Sequence, residues 1–448
     1  MQILKNLIKK LIPSKLFKMI RPYYHGLLAW DAHWYYERPS EHLIMVGVTG
    51  TSGKSTTIAM LAHILNKCGK KCGYITTVEF FDGEKVYINE HGLSMPSEIK
   101  LQKQLRLMVN HKCKVAIVEA TSEGLAQNRH LGINFDVALF TNLSRAHIEA
   151  HGSIANYTEA KLRLFKGLGR FSRKHFFPKK ALGVNLDDPQ AKIFTAFSAD
   201  KKFGITFKNN LPDTGLLKIY QAHKLSEKEF ALQGVNFLIN LPGEFNLYNA
   251  LLATACANIL GVDLTACAAA LQTFKTIAGR MEEISNALGI KIFVDYAPEP
   301  IGMLNALQAI SLMPHKKIIH VFGSTGGHRD VAKRFEFGNI SAQYADEIII
   351  TNDDVYGTDP QEIADDIKQG IEKEVKGQKS KVKSYEMILD RKQAIHRALH
   401  MAQAGDIVII TGKGSEQFLV LPKNIRIDWD DRRVVREELH KIELGIKN

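Results

Sequence analysis

The chain is poor in cysteine. Its 448 residues hold five, Cys68, Cys72, Cys113, Cys256 and Cys267. A sparse, odd-numbered set supports neither a disulfide framework nor a paired zinc motif, and it suits a reducing, cytoplasmic setting. Cys68 and Cys72 sit four apart on an expected helix, with no second pair nearby to complete a metal site. No apolar run reaches the roughly 18–20 residues needed to span a bilayer. The N-terminus does not read as a signal peptide, because Lys9 and Lys10 interrupt its short apolar stretches and no cleavage site follows. Internal repeats, low-complexity tracts and nucleic-acid recognition motifs are also lacking. The net charge of +12 is therefore assigned to a phosphate-rich substrate, an anionic surface or a generally basic exterior rather than to nucleic acid.

Apolar residues make up 45% of the chain, enough for well-formed cores. From Leu43 the pattern becomes strand, glycine loop, helix: Leu43–Val48, Gly50–Ser55, Thr56–Leu65. Further strand-like runs are Val115–Glu119, Val137–Phe140, Ile292–Val294, Ile318–Phe322, Glu347–Thr351 and Ile407–Thr411. Helical patterns lie between many of them, which predicts parallel α/β sheets. Residues 176–241 carry turn signals and short alternating runs, read as an excursion with β-hairpins. The expected organisation is a basic helical extension over 1–42, a central phosphate-loop-type parallel sheet domain over 43–277, and a Rossmann-like α/β domain over 278–448. In the extension, Ile3, Leu4, Leu7, Ile8 and Leu11 fall at helical spacing among Lys5, Lys9, Lys10, Lys15 and Lys18. Residues 1–20 read as a peripheral membrane-surface helix or as a helix packed on the following domain; the second reading is preferred.

The chemistry gathers at strand ends. Gly50-Thr51-Ser52-Gly53-Lys54-Ser55-Thr56 follows a strand and opens a helix. Glycines there let backbone N–H groups approach phosphate oxygens, and the helix N-terminus adds partial positive charge. Lys54 suits the β- and γ-phosphates, and the Ser55 hydroxyl suits magnesium. The strict phosphate-loop motif fails by one residue, since Val48 stands where it wants glycine and Gly47 lies one place earlier. Glu119 ends another strand, where a carboxylate can hold magnesium. Asp295-Tyr296, the loop from Gly323 to Asp330, and Gly412-Lys413-Gly414-Ser415-Glu416 follow three more strands. Ligands of open α/β sheets bind beyond the carboxyl ends of strands.

Together these segments resemble the Mur ligases. The residues Val46–Thr56 resemble that family's ATP loop. Thr141-Asn142-Leu143-Ser144-Arg145-Ala146-His147 with His151-Gly152 is similar to "TNLSRDH…HG", and Tyr157 to Phe165 to "YxxAKxxLF". Gly243–Asn246 with Asn249 resembles "GxFNxxN", Gly279–Glu282 resembles "GRME", and Asp295–Ala297 resembles the start of "DYAH". Asp390–Ile395 and the Gly412–Glu416 loop complete the series in family order. Within the family the likeness is greatest to the tripeptide synthetases of peptidoglycan precursor synthesis. Folylpolyglutamate synthetases share the fold but usually read "DGAHNP" where this chain has Asp295–Pro300.

The resemblance implies an ATP- and Mg2+-dependent ligase that adds an amino acid to a muramoyl-peptide precursor through an acyl phosphate, with no obligate protein partner. It places Gly50, Thr51, Ser52, Gly53, Lys54, Ser55, Thr56, Asn249, Arg280 and Asp295 on ATP. It gives Ser55, Glu119, His147 and Lys161 to metal, the last as a carbamylated lysine, and makes Lys54, Lys161, His147 and Glu119 catalytic. Ser122, Gln127 and Arg129 would hold the precursor, and Arg334, Asp353, Asp354, Gly412 and Glu416 the incoming amino acid. Retention of Lys54, Glu119, His147 and Lys161 argues against a non-catalytic scaffold derived from such a ligase.

Four departures stand out. About 45 residues precede the ATP loop, too few for the usual UDP-gripping domain, which keeps open a lipid-linked muropeptide or another acidic polymer as acceptor. Asp353-Asp354-Val355-Tyr356 stands where diaminopimelate ligases read "DNPR", so Tyr356 replaces a bidentate arginine. Pro298 replaces the histidine of "DYAH", and Ala146 the aspartate of "RDH". Glu123 replaces the histidine of "SSH", and Met95-Pro96-Ser97 replaces most of "TTPS".

Overall fold

The computed structural model describes residues 14–89, 95–144, 151–209, 218–327, 331–378 and 380–444. Eleven strands form the first sheet, with helices on both faces: β1 (Ile44–Thr49), β2 (Cys72–Ile75), β3 (Glu79–Phe81), β4 (Val86–Ile88), β5 (Val115–Glu119), β6 (Val137–Phe140), β7 (Ala181–Asn185), β8 (Lys201–Thr206), β9 (Lys218–Lys224), β10 (Glu229–Leu232) and β11 (Val235–Leu238). Their order is β11-β10-β9-β8-β7-β6-β1-β5-β2-β3-β4. The run from β2 to β9 is parallel, and antiparallel strands finish each side. Central strands such as β1 and β5 are nearly all apolar because both faces are covered. The Lys54–Lys67, Glu244–Ile259 and Leu264–Gln272 helices bury one face around Ile58, Leu61, Val137 and Leu251. The Glu98–Asn110 and Ile154–Lys166 helices bury the other around Leu105, Val118, Phe140 and Phe165.

A second sheet holds β12 (Glu282–Ile284), β13 (Lys291–Asp295), β14 (Ile318–Phe322), β15 (Glu347–Ile350), β16 (Ser384–Met387) and β17 (Ile407–Thr411), ordered β12-β13-β17-β14-β15-β16. All its pairings are parallel except β12 with β13. The hairpin β18 (Phe418–Leu421) and β19 (Ile425–Asp428) follows. This is the expected class: a central phosphate-loop-type parallel sheet domain followed by a Rossmann-like α/β domain.

Two readings change. Residues 176–241 are not an excursion. There β7, β8 and β9 continue the parallel ladder, and only β9–β10–β11 turns back as hairpins. Cys72 does not share a helix with Cys68: Cys68 caps the Lys54–Lys67 helix, Gly69 turns the chain at φ 75°, and Cys72 opens β2. All five thiols are free. The aromatic stretch before β1 belongs to a helix, Ser14–Tyr35, with Pro22 inside it. Ala29, Ala32 and His33 on that helix are buried, and His25 Nδ1 lies 2.6 Å from Glu98 Oε1 on the Glu98–Asn110 helix. The part of the extension from Ile20 onward thus packs on the first domain, while residues 1–13 lie outside those described.

A buried ion pair ties the second sheet together. Arg391 Nη2 meets Asp431 Oδ2 at 2.7 Å, and neither side chain touches solvent. Arg391 also donates to the carbonyls of Asn352 and Thr411 at the ends of β15 and β17. Removing one partner leaves a buried charge uncompensated. Asp431→Ala is expected to destabilise the chain by about 3–5 kcal/mol, read as a lowered denaturant midpoint; a midpoint unchanged from wild type would refute this role.

Candidate active site

The loop after β1 is built to leave backbone N–H groups unspent. Gly53 is the N-cap residue of the Lys54–Lys67 helix, and no side chain caps that end. By contrast, aspartates 359, 390 and 430 cap three later helices. An uncapped helix start offers N–H groups and dipole to an anion. Gly53 has φ 79°, and a Cβ there would lie 2.3 Å from Asn249 Oδ1. Glycine is thus required on two counts. The loop is held in shape by the segment after β6: Asn142 Oδ1 accepts from Ser52 N at 2.9 Å, Asn142 O accepts from Thr51 N at 2.9 Å, and Ser144 N donates to Thr51 Oγ1.

Glu119 closes the floor. Its carboxylate accepts from Ser55 Oγ at 2.8 Å and from both N and Oγ1 of Thr77 at 3.0 Å, while Lys54 Nζ stands 3.9 Å away. Lys161, 2% exposed, donates to Gly50 O at 2.7 Å and lies over the Tyr157 ring. Burial and then the neighbouring Lys54 push its amine well below the ordinary lysine range, against a smaller pull from Glu119. Burial lowers Lys54 too, opposed by Glu119. Two hard oxygens, the Ser55 hydroxyl and the Glu119 carboxylate, face one place. That donor set fits Mg2+, which takes one or two protein oxygens and completes its shell with water and phosphate. His147 lies outside the described residues.

The second domain supplies the opposite wall. Residues from both domains line one cleft of about 740 Å³, within the range of small-molecule sites. Arg280 stacks over Tyr296 at 4.6 Å, and Asp295 Oδ1 accepts from Met281 N at 2.8 Å. Gly279 packs directly on the 412–416 loop, where a Cβ would lie 2.2 Å from Ser415 N. Beyond it, Lys413 is wholly buried, with Nζ 2.8 Å from Asp354 Oδ1, 2.6 Å from Glu416 Oε2 and 3.9 Å from Asp353 Oδ1. Burial alone would lower its pKa; Asp353, Glu416 and Asp354 outweigh that and raise it. Burial pushes Glu416 up to about 7, with Lys413 pulling the other way.

The cleft brings together residues 50–56, Glu119, Ser122, Arg129, Lys161, Asn249, Arg280, Asp295, Asp353, Asp354, Gly412 and Glu416. Gln127 is one step removed: its Oε1 accepts from Arg129 Nε and Nη2 at 3.0 and 2.7 Å. Arg334 is not brought there. It is fully buried, with Nη1 on Glu362 and Asp366 of the Pro360–Lys376 helix. Its neighbour Lys333 lines the cleft instead, with Nζ 3.3 Å from Pro298 O and 3.8 Å from Glu299 Oε1. Thr77 was missed by sequence reasoning, because a threonine just past a strand carries no signal of its own.

The Mur ligase middle domain model matches residues 48–257, and the Mur ligase glutamate ligase domain model matches 279–414. A UDP-N-acetylmuramoyl-L-alanyl-D-glutamate–2,6-diaminopimelate ligase of Caldanaerobacter subterraneus subsp. tengcongensis is 32% identical over 420 residues, covering 91% of this chain and 80% of that one. A UDP-N-acetylmuramyl-tripeptide synthetase of Borreliella burgdorferi is 33% identical, covering 92% and 80%. A solved UDP-N-acetylmuramoyl-L-alanyl-D-glutamate–2,6-diaminopimelate ligase superposes with a TM-score of 0.58 at 29% identity, covering 90% and 79%. Fold, cleft and relatives define an ADP-forming acid–amino-acid ligase. The chain belongs to the Mur ligase family.

Gly53→Ala is expected to weaken nucleotide binding at least about tenfold, since an alanine held in left-handed backbone costs roughly 1–2 kcal/mol before its clash with Asn249. Calorimetric titration checks this; wild-type affinity would refute the role given to the loop.

Proposed function

We propose that this ligase adds an amino acid to a muramoyl-dipeptide precursor of peptidoglycan, consuming ATP and forming an acyl phosphate. The observation that carries the reading is the single cleft in which the uncapped glycine loop, the Ser122–Arg129 segment and the Asp353–Glu416 cluster face one another. The names of the relatives support the substrate class.

In this reading the free N–H groups around Gly53 and the Lys54 ammonium hold the β- and γ-phosphates. Arg280, Asn249 and Asp295 position the rest of the nucleotide. Arg129, fixed by Gln127 and by Met95 O at 2.7 Å, and Ser122, paired with His151 Nε2 at 3.1 Å, orient the precursor. Its carboxylate then attacks the γ-phosphorus and ADP leaves, giving the acyl phosphate that the amine later attacks with release of phosphate; Lys54 offsets the charge that develops. Mg2+, held by Ser55 and Glu119 and, by family resemblance, His147 and carbamylated Lys161, would neutralise phosphate charge. The incoming amine is received among Asp353, Gly412 and Glu416, and closure of the second domain over the cleft excludes water from the acyl phosphate. Tyr356 in place of a guanidinium removes one charged clamp for a distal carboxylate, so the amino acid is chosen by other contacts. Lys333 is among the cations that line the cleft.

Purified protein given ATP, magnesium and UDP-N-acetylmuramoyl-dipeptide should release phosphate only when one of diaminopimelate, lysine or ornithine is added. Release with a lipid-linked muropeptide alone would move the acceptor to the membrane; binding of ATP without release on any pair would overturn the proposal.

Lys161 carries a second prediction. Burial favours the neutral amine of Lys161, the form that reacts with carbon dioxide. Intact-mass or carbon-13 measurement should find one carbamate on Lys161, and bicarbonate or short carboxylates should restore part of the activity lost in Lys161→Ala. Neither a carbamate nor rescue would remove this role.

A further inference from the structure

The packed face of the Ser14–Tyr35 helix lies against the two segments that hold Arg129 in the cleft. Arg129 itself is fastened by Gln127 Oε1 and by Met95 O. The helix touches both sides of that arrangement. On one side, Asn128 Nδ2 donates to Pro22 O at 3.2 Å, a Cβ on Gly26 would lie 3.2 Å from Leu131 Cδ1, and one on Gly132 would lie 2.7 Å from His33 Cβ. On the other, His25 Nδ1 lies 2.6 Å from Oε1 of Glu98, which follows shortly after Met95 and opens the Glu98–Asn110 helix.

Glu98 is 2% exposed, and a carboxylate so enclosed is costly without a donor. Its Oε1 and His25 Nδ1 have no partner but each other among the described residues. Arg21 Nε donates to His25 Nε2 at 3.5 Å, which leaves the ring proton on Nδ1, facing Glu98. Arg129 lies within the field of the same carboxylate. Burial works against the guanidinium's charge, and Glu98 is the neighbour that offsets this most, ahead of the opposing Arg21 and of Glu123. Even so, Arg129 spends its N–H groups on Gln127 and Met95 and not on Glu98, and those left over have no partner among the described residues.

We propose that His25 is a positioning residue for the precursor: by occupying the Glu98 carboxylate, it leaves the Arg129 guanidinium turned to the cleft for a carboxylate of the precursor. The inference rests on the functional reading given above and adds to it a role for the helix that precedes β1. Without the His25 donor, the enclosed Glu98 carboxylate turns to Arg129, the cleft cation within its field. That pairing draws off the N–H groups that the precursor needs. A helix outside the cleft thereby sets the affinity at one end of it.

The test is steady-state kinetics of the full chain with UDP-N-acetylmuramoyl-dipeptide, ATP and the amino acid that the wild type accepts. His25→Phe keeps a ring and loses the donor. It is expected to raise the precursor KM at least about tenfold, the scale of one charge-assisted hydrogen bond, with kcat and the ATP KM unchanged. His25→Asn, whose amide nitrogen can stand where Nδ1 does, should keep the wild-type KM. Glu98→Gln added to His25→Phe should bring the KM most of the way back, because no carboxylate remains to capture Arg129; a helix that is merely loosened gains nothing from that second change. A wild-type KM in His25→Phe, a KM in His25→Asn as high as in His25→Phe, an ATP KM that rises alongside, or no recovery in the double variant overturns the role. Should His25→Phe not fold, His25→Ala takes its place with the same outcomes. A wild type that releases no phosphate with the precursor sinks the functional reading and this inference together; a working wild type with any of those results sinks this inference alone.

Discussion

The carboxylate of Glu119 is where the first domain's working parts meet. It ends β5, the strand beside β1, and it takes hydrogen bonds from Ser55 in the first turn of the helix and from Thr77 just past β2. A buried carboxylate needs such donors, because an unsatisfied charge in a low-dielectric site costs several kcal/mol, of the order of what stabilises the whole domain. Those bonds set the distance between strand end and helix start, and with it the shape of the glycine loop between them. Asn142 and Ser144 fasten the loop's other side. Phosphate recognition by backbone N–H groups is possible only because this frame spends its side chains on the loop's borders and leaves the helix end uncapped.

The second domain answers with the opposite electrostatic arrangement. Around one buried ammonium, Lys413, it collects Asp353, Asp354 and Glu416. Asp354 is consumed inside the cluster, since its Oδ1 also accepts from Val420 N. All three carboxylates line the cleft, so acidic groups outnumber the one buried ammonium there. In the proposed reaction an amino acid's ammonium would meet that surplus of carboxylate, while the phosphates would meet Lys54 and free N–H groups across the cleft. On that proposal the two walls suit two different parts of one reaction, and neither wall alone suits both.

How much of this was legible in the sequence depended on how locally each feature is encoded. The parallel strands announced themselves as continuous apolar runs, because burial on both faces forbids polar alternation. The glycine loop was readable from one hexapeptide. The ladder through β7, β8 and β9 was not, because short strands with mixed faces look alike whether they extend a sheet or form hairpins. Thr77 was invisible for a similar reason: it matters only through where β2 ends relative to β5.

Arg334 shows the limit of carrying roles by position. It follows Lys333 in a helix, and adjacent residues there point about 100° apart. Of the two cations, one faces the cleft and the other faces Glu362 and Asp366 on the neighbouring helix. The inward one is buried and doubly paired, so it locks helix to helix. The sequence shows two adjacent cations; only the packing of the Val331–Tyr344 helix against Pro360–Lys376 decides which is spent on structure. Close approach of those helices at Gly338 and Gly370, where a Cβ would lie 2.1 Å from the facing backbone, fixes the rotation of the helix about its axis. It is that contact, distant from the cleft, that turns Lys333 toward Glu299.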